Sequence, residues 1–312
     1  MKELNTSGPM SKFPSALFFC LLVIFTVPAR AQGRVECGSV TSRYVPHPVA
    51  YCALLPPGYD AQPSRKFPAL YFLHGLGGDH TFLVSGPGWG VIEDEQEQKR
   101  IGEFVIITPQ ADNSFYVNSK NGGVEYEDFF VRDFIPRMEK RFRLLDDRQN
   151  RAIGGISMGG YGALRFAFKY PQMFVAVIAH MPALLQQLPV GTGQTGLAPY
   201  LGPAFGHPLD EAYWKANTPF VFAATANLRG LKIYFDCGDQ DDFGFDAGER
   251  DMDKMLSARR IPHVAHIYPG RHSWQFVAEH IQDSLKFVSD AFNAAPGPRA
   301  TGQAGHAQPQ AR

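Results

Sequence analysis

The sequence has no excess of charge of either sign: Lys and Arg number 30, and Asp and Glu 30, in 312 residues. Without a basic surplus or an acidic tail, nothing points to nucleic acid as a partner. Cysteine is scarce, at four. Neither Cys-x-x-Cys nor His-Glu-x-x-His occurs, so no metal site is read from spacing. There are no internal repeats. A membrane-length apolar run is also missing. The longest stretch, Ala16 to Val27, is too short to cross a bilayer comfortably. It follows Lys2 and Lys12 and precedes Pro28-Ala29-Arg30-Ala31, the pattern of a secretory signal peptide over residues 1–31 cleaved after Ala31. The expectation is an exported protein, periplasmic or extracellular, with no stable membrane anchor. Export would leave Cys37, Cys52 and Cys237 in an oxidising compartment. Cys37 and Cys52 lie on neighbouring extended segments and could pair across a hairpin. Cys237 would then be a small buried hydrophobe.

What is present is apolar and aromatic: 45% hydrophobic residues, 13% aromatics and 25 Phe, enough for a sizeable core. Val35–Val45 and Val49–Leu55 read as a β-hairpin. Phe67–Leu73, Phe104–Thr108, the run ending at Ile156, Met173–Ala179, Leu231–Phe235 and His263–Tyr268 are short apolar runs suited to buried parallel strands. Between them lie helical patterns at Tyr126–Phe142, interrupted by Pro136, and at Tyr161–Tyr170, Asp246–Arg260 and Ser273–Phe292. This alternation predicts an α/β fold, a mostly parallel sheet with helices on both faces and an N-terminal antiparallel hairpin. It spans one catalytic domain at residues 32–293. Residues 182–227, with short helices at Leu209–Ala216 and Pro219–Leu228, read as a lid-like insertion. Residues 294–312 have no periodicity and read as a disordered tail.

The chain is organised around Ala152-Ile153-Gly154-Gly155-Ile156-Ser157-Met158-Gly159-Gly160. An apolar strand runs through Gly-x-Ser-x-Gly into a helix, the form of a nucleophile elbow, with glycines where strand and helix approach. Alone this pattern is weak, so its partners matter. In such sheets function gathers at the carboxyl ends of the strands. Those ends deliver His74-Gly75-Leu76-Gly77, then Ser157, then Asp236 to Asp242, then Pro269-Gly270-Arg271-His272. A serine needs an imidazole to take its proton, and the imidazole needs a carboxylate to orient it. Ser157, an aspartate and His272 supply these, in that chain order. Asp241 is favoured as the acid, with Asp242 and then Asp239 as alternatives. The oxyanion would be met by the backbone N–H groups of Met158 and Leu76. His74 is read as mainly structural, with its ring beside the site. Phe115, Tyr116, Trp214 and Trp274 are candidate pocket residues, and Asn113 follows the same strand end as Phe115.

These motifs resemble the esterase D family: His74-Gly75-x-Gly77-Gly78, Gly155-Ile156-Ser157-Met158-Gly159-Gly160, Asp236-Cys237-Gly238-x-x-Asp241 and Pro269-Gly270-x-His272-x-Trp274. Tyr126-Glu127-Asp128-Phe129 and Phe205-Gly206-x-Pro208-Leu209 are similar too, so the resemblance covers roughly Pro48 to Phe292. The family includes S-formylglutathione hydrolases, tributyrin, feruloyl and acetylxylan esterases, and antigen 85 mycolyltransferases. The resemblance implies an α/β-hydrolase fold, no metal and no organic cofactor, and it assigns the acid to Asp241. The expected function is a secreted serine carboxylesterase acting on short-chain acyl, acetyl or feruloyl esters through an acyl-enzyme. Its substrates would be small-molecule or polysaccharide-linked esters, and a homo-oligomer is possible. An acyltransferase, a thioester hydrolase of the S-formylglutathione type and a non-catalytic binding protein are the alternatives.

Overall fold

The computed structural model describes residues 32–86, 88–188 and 197–294. The expected signal peptide, the tail beyond Ala294 and part of the expected insertion lie outside these residues. Eight strands form one sheet: β1 (Arg34–Val40), β2 (Val49–Leu55), β3 (Ala69–Leu73), β4 (Val105–Pro109), β5 (Arg151–Ile156), β6 (Ala176–His180), β7 (Lys232–Gly238) and β8 (Val264–Tyr268). Their order is β1-β2-β4-β3-β5-β6-β7-β8. β2 pairs antiparallel with both β1 and β4, and the remaining pairings are parallel. The helices among the described residues are α1 (Gly88–Glu97), α2 (Tyr126–Phe129), α3 (Ile135–Arg141), α4 (Met158–Lys169), α5 (Ala198–Phe205), α6 (Glu211–Asn217), α7 (Pro219–Thr225), α8 (Phe245–Ala258) and α9 (Trp274–Asn293).

The central strands β3, β4, β5 and β6 are buried at every residue, which is why they read as unbroken apolar runs rather than alternating ones. Helices cover both faces of the sheet: α1 packs with α9 on one, and α4 packs with α7, and α7 with α8, on the other. Cys37 and Cys52 face one another in the β1–β2 register and form a disulfide, with Cα atoms 4.0 Å apart. Cys237 is free and buried.

Four details depart from the sequence reading. α1 was not foreseen; its apolar residues are few and only part of it is buried. β1 ends at Val40, and the following residues form the loop that leads into β2. α4 begins at Met158, directly after the serine, rather than at Tyr161. The helical pattern from Tyr126 to Phe142, expected to be interrupted at Pro136, is divided into α2, a π-helical turn over Phe130–Phe134, and α3. Pro136 has no N–H to give to the carbonyl one turn back, so regular α-helical bonding cannot run through it. The wider turn keeps Phe129, Phe130 and Phe134 all buried, and Phe130 packs on Phe166 with ring centres 4.7 Å apart.

The insertion is a packed layer in its described part. Leu201, Phe205, Trp214 and Ala223 are buried. A buried ion pair anchors it. Arg165 on α4 is fully buried, reaches Glu127 at 2.6 Å and donates from Nε to the Asn217 carbonyl at 3.0 Å. Tyr161 donates its hydroxyl to the same carbonyl at 2.8 Å. Burial acts to raise the Glu127 pKa, but Arg165, Lys169 and Tyr170 outweigh it and hold the carboxyl below its usual range.

Candidate active site

Ser157 stands between β5 and α4 with φ 57° and ψ −115°, a conformation costly for any residue with a side chain. It is held by its neighbours. Its N–H donates to the His180 carbonyl at 2.9 Å, and its carbonyl accepts from Tyr161 at 2.9 Å and Ala183 at 3.0 Å. The flanking glycines are required by space. A Cβ on Gly155 would lie 2.5 Å from the Gly159 backbone, and one on Gly159 would lie 2.1 Å from the Leu73 carbonyl oxygen.

The expected partners converge on this serine. His272 Nε2 lies 3.0 Å from Ser157 Oγ, and Nδ1 lies 2.6 Å from Asp241 Oδ2. Asp241 also accepts N–H groups from Phe243 at 2.9 Å and Phe245 at 3.2 Å. Burial pushes its pKa upward, but the hydrogen bond and charge of His272, followed by these two amides, win, and the carboxyl sits below its usual range. It is therefore ionised and acceptor-only, which makes His272 Nδ1 the donor and leaves Nε2 facing the serine.

The other aspartates have separate work. Asp242 binds Arg271 and accepts the His272 backbone N–H at 3.2 Å, so it fixes the loop rather than the ring. Asp239 accepts the Gly270 N–H at 3.1 Å. Asp236 faces away, toward His180. The rings of Phe243 and Phe245 meet His272 edge-on, with centres 4.9 and 5.4 Å away. The sequence reading missed both. Their only signal is that they follow the acid directly, and nothing in their spacing says where their rings point.

Met158 is the first residue of α4, so its N–H belongs to the amides that a helix leaves without an internal partner. Leu76 lies in the loop after β3. That loop turns through Gly77, at φ 72°, which accepts no side chain without strain. Asn113 Oδ1 accepts the Gly77 N–H at 3.2 Å, and the Tyr116 hydroxyl donates to the His74 carbonyl at 2.9 Å. The His74 ring is fully buried; Nδ1 lies 2.8 Å from the Gly75 carbonyl, and Nε2 accepts the Ala111 N–H at 3.0 Å. That pattern requires the neutral ring. Burial favours it too, pulling the His74 pKa down.

His74, Phe115, Tyr116 and Trp214 are buried, and the bonds of His74 and Tyr116 brace the loop after β3. Tyr116 packs on Gly162, and Phe115 packs on Tyr161 and Phe205. Trp274 reaches toward Gly88, at the start of α1. Open space lies beside the Leu76 loop. A cavity of about 400 Å³ is lined by Val45, Pro48, Asn113, Val117, Val124 and Pro203, among others; Ser157 itself does not line it. Asn113 is the shared wall, touching both this cavity and the Leu76–Gly77 turn. Among the described residues there is no group of His, Cys, Asp and Glu that could hold a metal ion.

A family model described as "Putative esterase" matches residues 42–287. The chain belongs to this esterase family. An esterase of Mycobacterium tuberculosis is 31% identical over 241 residues, covering 70% of this chain and 51% of that protein. This chain thus spans about half the length of that relative. An acetyl esterase of Caldicellulosiruptor saccharolyticus is 27% identical, with 72% of this chain and 85% of that protein covered. Among solved structures, a ferulic acid esterase superposes with a TM-score of 0.72 at 25% identity, covering 84% of this chain and 99% of that one. The α/β-hydrolase fold implied by the resemblance is thus shared with esterases of known structure.

Proposed function

We propose that this esterase-family member is an exported serine carboxylesterase whose nucleophile is Ser157. The observation that carries the reading is the hydrogen-bonded chain from Ser157 Oγ through His272 to Asp241, at 3.0 and 2.6 Å. In this reading His272 Nε2 takes the hydroxyl proton as Oγ attacks the ester carbonyl. Asp241 stabilises the imidazolium that forms. The Leu76 and Met158 N–H groups meet the oxyanion. The intermediate collapses, His272 returns the proton to the leaving alkoxide, and the acyl group stays on Ser157. Water then repeats the sequence, with its proton passing to His272, and the carboxylic acid leaves.

Short-chain acyl, acetyl and feruloyl esters are the proposed substrates, free or attached to polysaccharide. The cavity beside Asn113 supports this choice: its volume is within the range of small-molecule sites, and it adjoins the loop carrying Leu76. The test is Ser157→Ala. Thermal unfolding should be unchanged, while turnover of p-nitrophenyl acetate and labelling by a fluorophosphonate probe should both disappear. Turnover retained at the wild-type level refutes the assignment.

A further inference from the structure

Beneath the site lies a second serine, histidine and aspartate, joined in the same order and sealed from solvent. His180 Nδ1 is 2.9 and 3.0 Å from the two Asp236 oxygens, and Nε2 is 2.9 Å from Ser284 Oγ. The Tyr234 hydroxyl donates to Asp236 at 2.9 Å. His180, Asp236 and Ser284 are completely buried. No ester can reach Ser284, so the arrangement cannot be a second catalytic centre. Burying so many polar groups is tolerable only because each is paired, and such networks specify one arrangement of the elements they join.

The elements joined here are the ones that end in the site. His180 closes β6, and its carbonyl accepts the Ser157 N–H at 2.9 Å. Asp236 lies on β7, the strand that leads to Asp241, and its carbonyl accepts the Met181 N–H at 2.7 Å. Ser284 lies on α9, the helix that starts just after His272, and its Oγ lies 3.0 Å from the Ile281 carbonyl oxygen as well. Ser157 and Met181, both bonded to this unit through the backbone, have φ of 57° and 45°. Strained residues persist only where their surroundings over-determine them.

We propose that His180, Asp236 and Ser284 are positioning residues that fix β6, β7 and α9 relative to one another, and thereby place Ser157, Asp241 and His272 for reaction. This rests on Ser157 being the nucleophile. A purely stabilising network would affect melting alone. A positioning network also affects the chemical step, because a displacement of about 1 Å can cost on the order of 100-fold in rate.

The experiment uses Ser284→Ala and Tyr234→Phe, each removing one hydroxyl and adding no volume. Thermal unfolding, kcat and KM for p-nitrophenyl acetate, and the rate of fluorophosphonate labelling are measured well below the unfolding transition. For Ser284→Ala, kcat and labelling rate should fall together by about 10- to 100-fold, with KM within about twofold of wild type. Tyr234→Phe should show the same pattern more weakly, and it carries the test alone if Ser284→Ala does not fold. Folded variants with wild-type kcat and labelling rate overturn the proposal, even if they melt earlier. Failure of the wild-type protein to label would instead sink the esterase reading, and the positioning role with it.

Discussion

Gly159→Ala is a single methyl whose consequence can be followed from the strand to the rate. A Cβ at this position would lie 2.1 Å from the Leu73 carbonyl oxygen, 2.5 Å from the Leu73 carbonyl carbon and 2.7 Å from the His74 carbonyl oxygen. Ordinary contact begins at 3.4 Å, so the first of these is more than 1 Å too close. All three obstacles are backbone, so no rotamer change relieves them. Either α4 moves away from β3, or the end of β3 moves, and the loop carrying Leu76 starts there. A shift of that size separates the Leu76 N–H from Met158 and from the oxyanion they are proposed to share. Losing one such donor costs roughly 10²–10³ in kcat. The expected result is that loss in kcat for p-nitrophenyl acetate, with KM changed much less, and a lowered melting temperature. Gly77→Ala is the control. Its φ of 72° carries torsional strain, but nothing lies within 4 Å of the new methyl. It should cost about 1–2 kcal/mol of local strain without steric displacement. If Gly159→Ala matches wild type in both kcat and melting, the packing argument for the elbow is wrong.

Three further outcomes follow from charge and burial. Asp241→Asn should lower kcat by about 10⁴, because the amide cannot hold His272 in the required tautomer, whereas Asp242→Asn should lower it less than about tenfold, since Asp242 binds only the loop backbone and Arg271; equal losses in steady-state kinetics would show that the acid is misassigned. Glu127→Gln strands the buried Arg165 guanidinium and should cost about 3–5 kcal/mol in denaturant unfolding. The Glu127 pKa is lowered on folding, so its contribution is present above the unfolded carboxyl value of about 4.3 and is lost as pH falls through the folded one. Glu127→Gln should therefore show a weaker acid dependence of stability than wild type. Glu249 is the opposite case: it is buried, neither carboxyl oxygen has a hydrogen-bond partner among the described residues, and burial, then Asp236, push its pKa well up. Folding is unpenalised by this group below the unfolded value, and stability falls as pH rises through the folded one. Glu249→Gln should raise the melting temperature at neutral and alkaline pH and leave it unchanged near pH 4; a lowered melting temperature at pH 8 would contradict this.

The layout of the fold was legible because burial on both faces leaves a direct trace. β3 through β6 are unbroken apolar runs, and the residues that leave their carboxyl ends can be listed before any packing is known. Chain order and the separation of Ser157, Asp241 and His272 were readable on the same basis. α1 was not, because only four of its residues are buried and its stripe is narrow. The π-helical turn was not, because Pro136 announces a break without saying how the preceding Phe residues will be accommodated. Whether Phe115 and Tyr116 face a ligand or brace the loops was not legible in the sequence, and in the structure both are buried. An aromatic residue after a strand end is the same residue type whether it faces a ligand or braces the loop.

The sequence by itself determined which groups reach the top of the sheet. Strand periodicity, the Gly-x-Ser-x-Gly turn and the loops after Phe235 and Tyr268 are local properties of the chain. Only the tertiary structure decided among neighbours of the same type. Asp236, Asp239, Asp241 and Asp242 are chemically equivalent, yet one binds His180, one the Gly270 amide, one the His272 ring and one the His272 backbone. Likewise two Ser–His–Asp chains exist, and burial alone distinguishes the one open to an ester from the one beneath it. Such choices depend on distances between segments far apart in sequence, which no local pattern encodes.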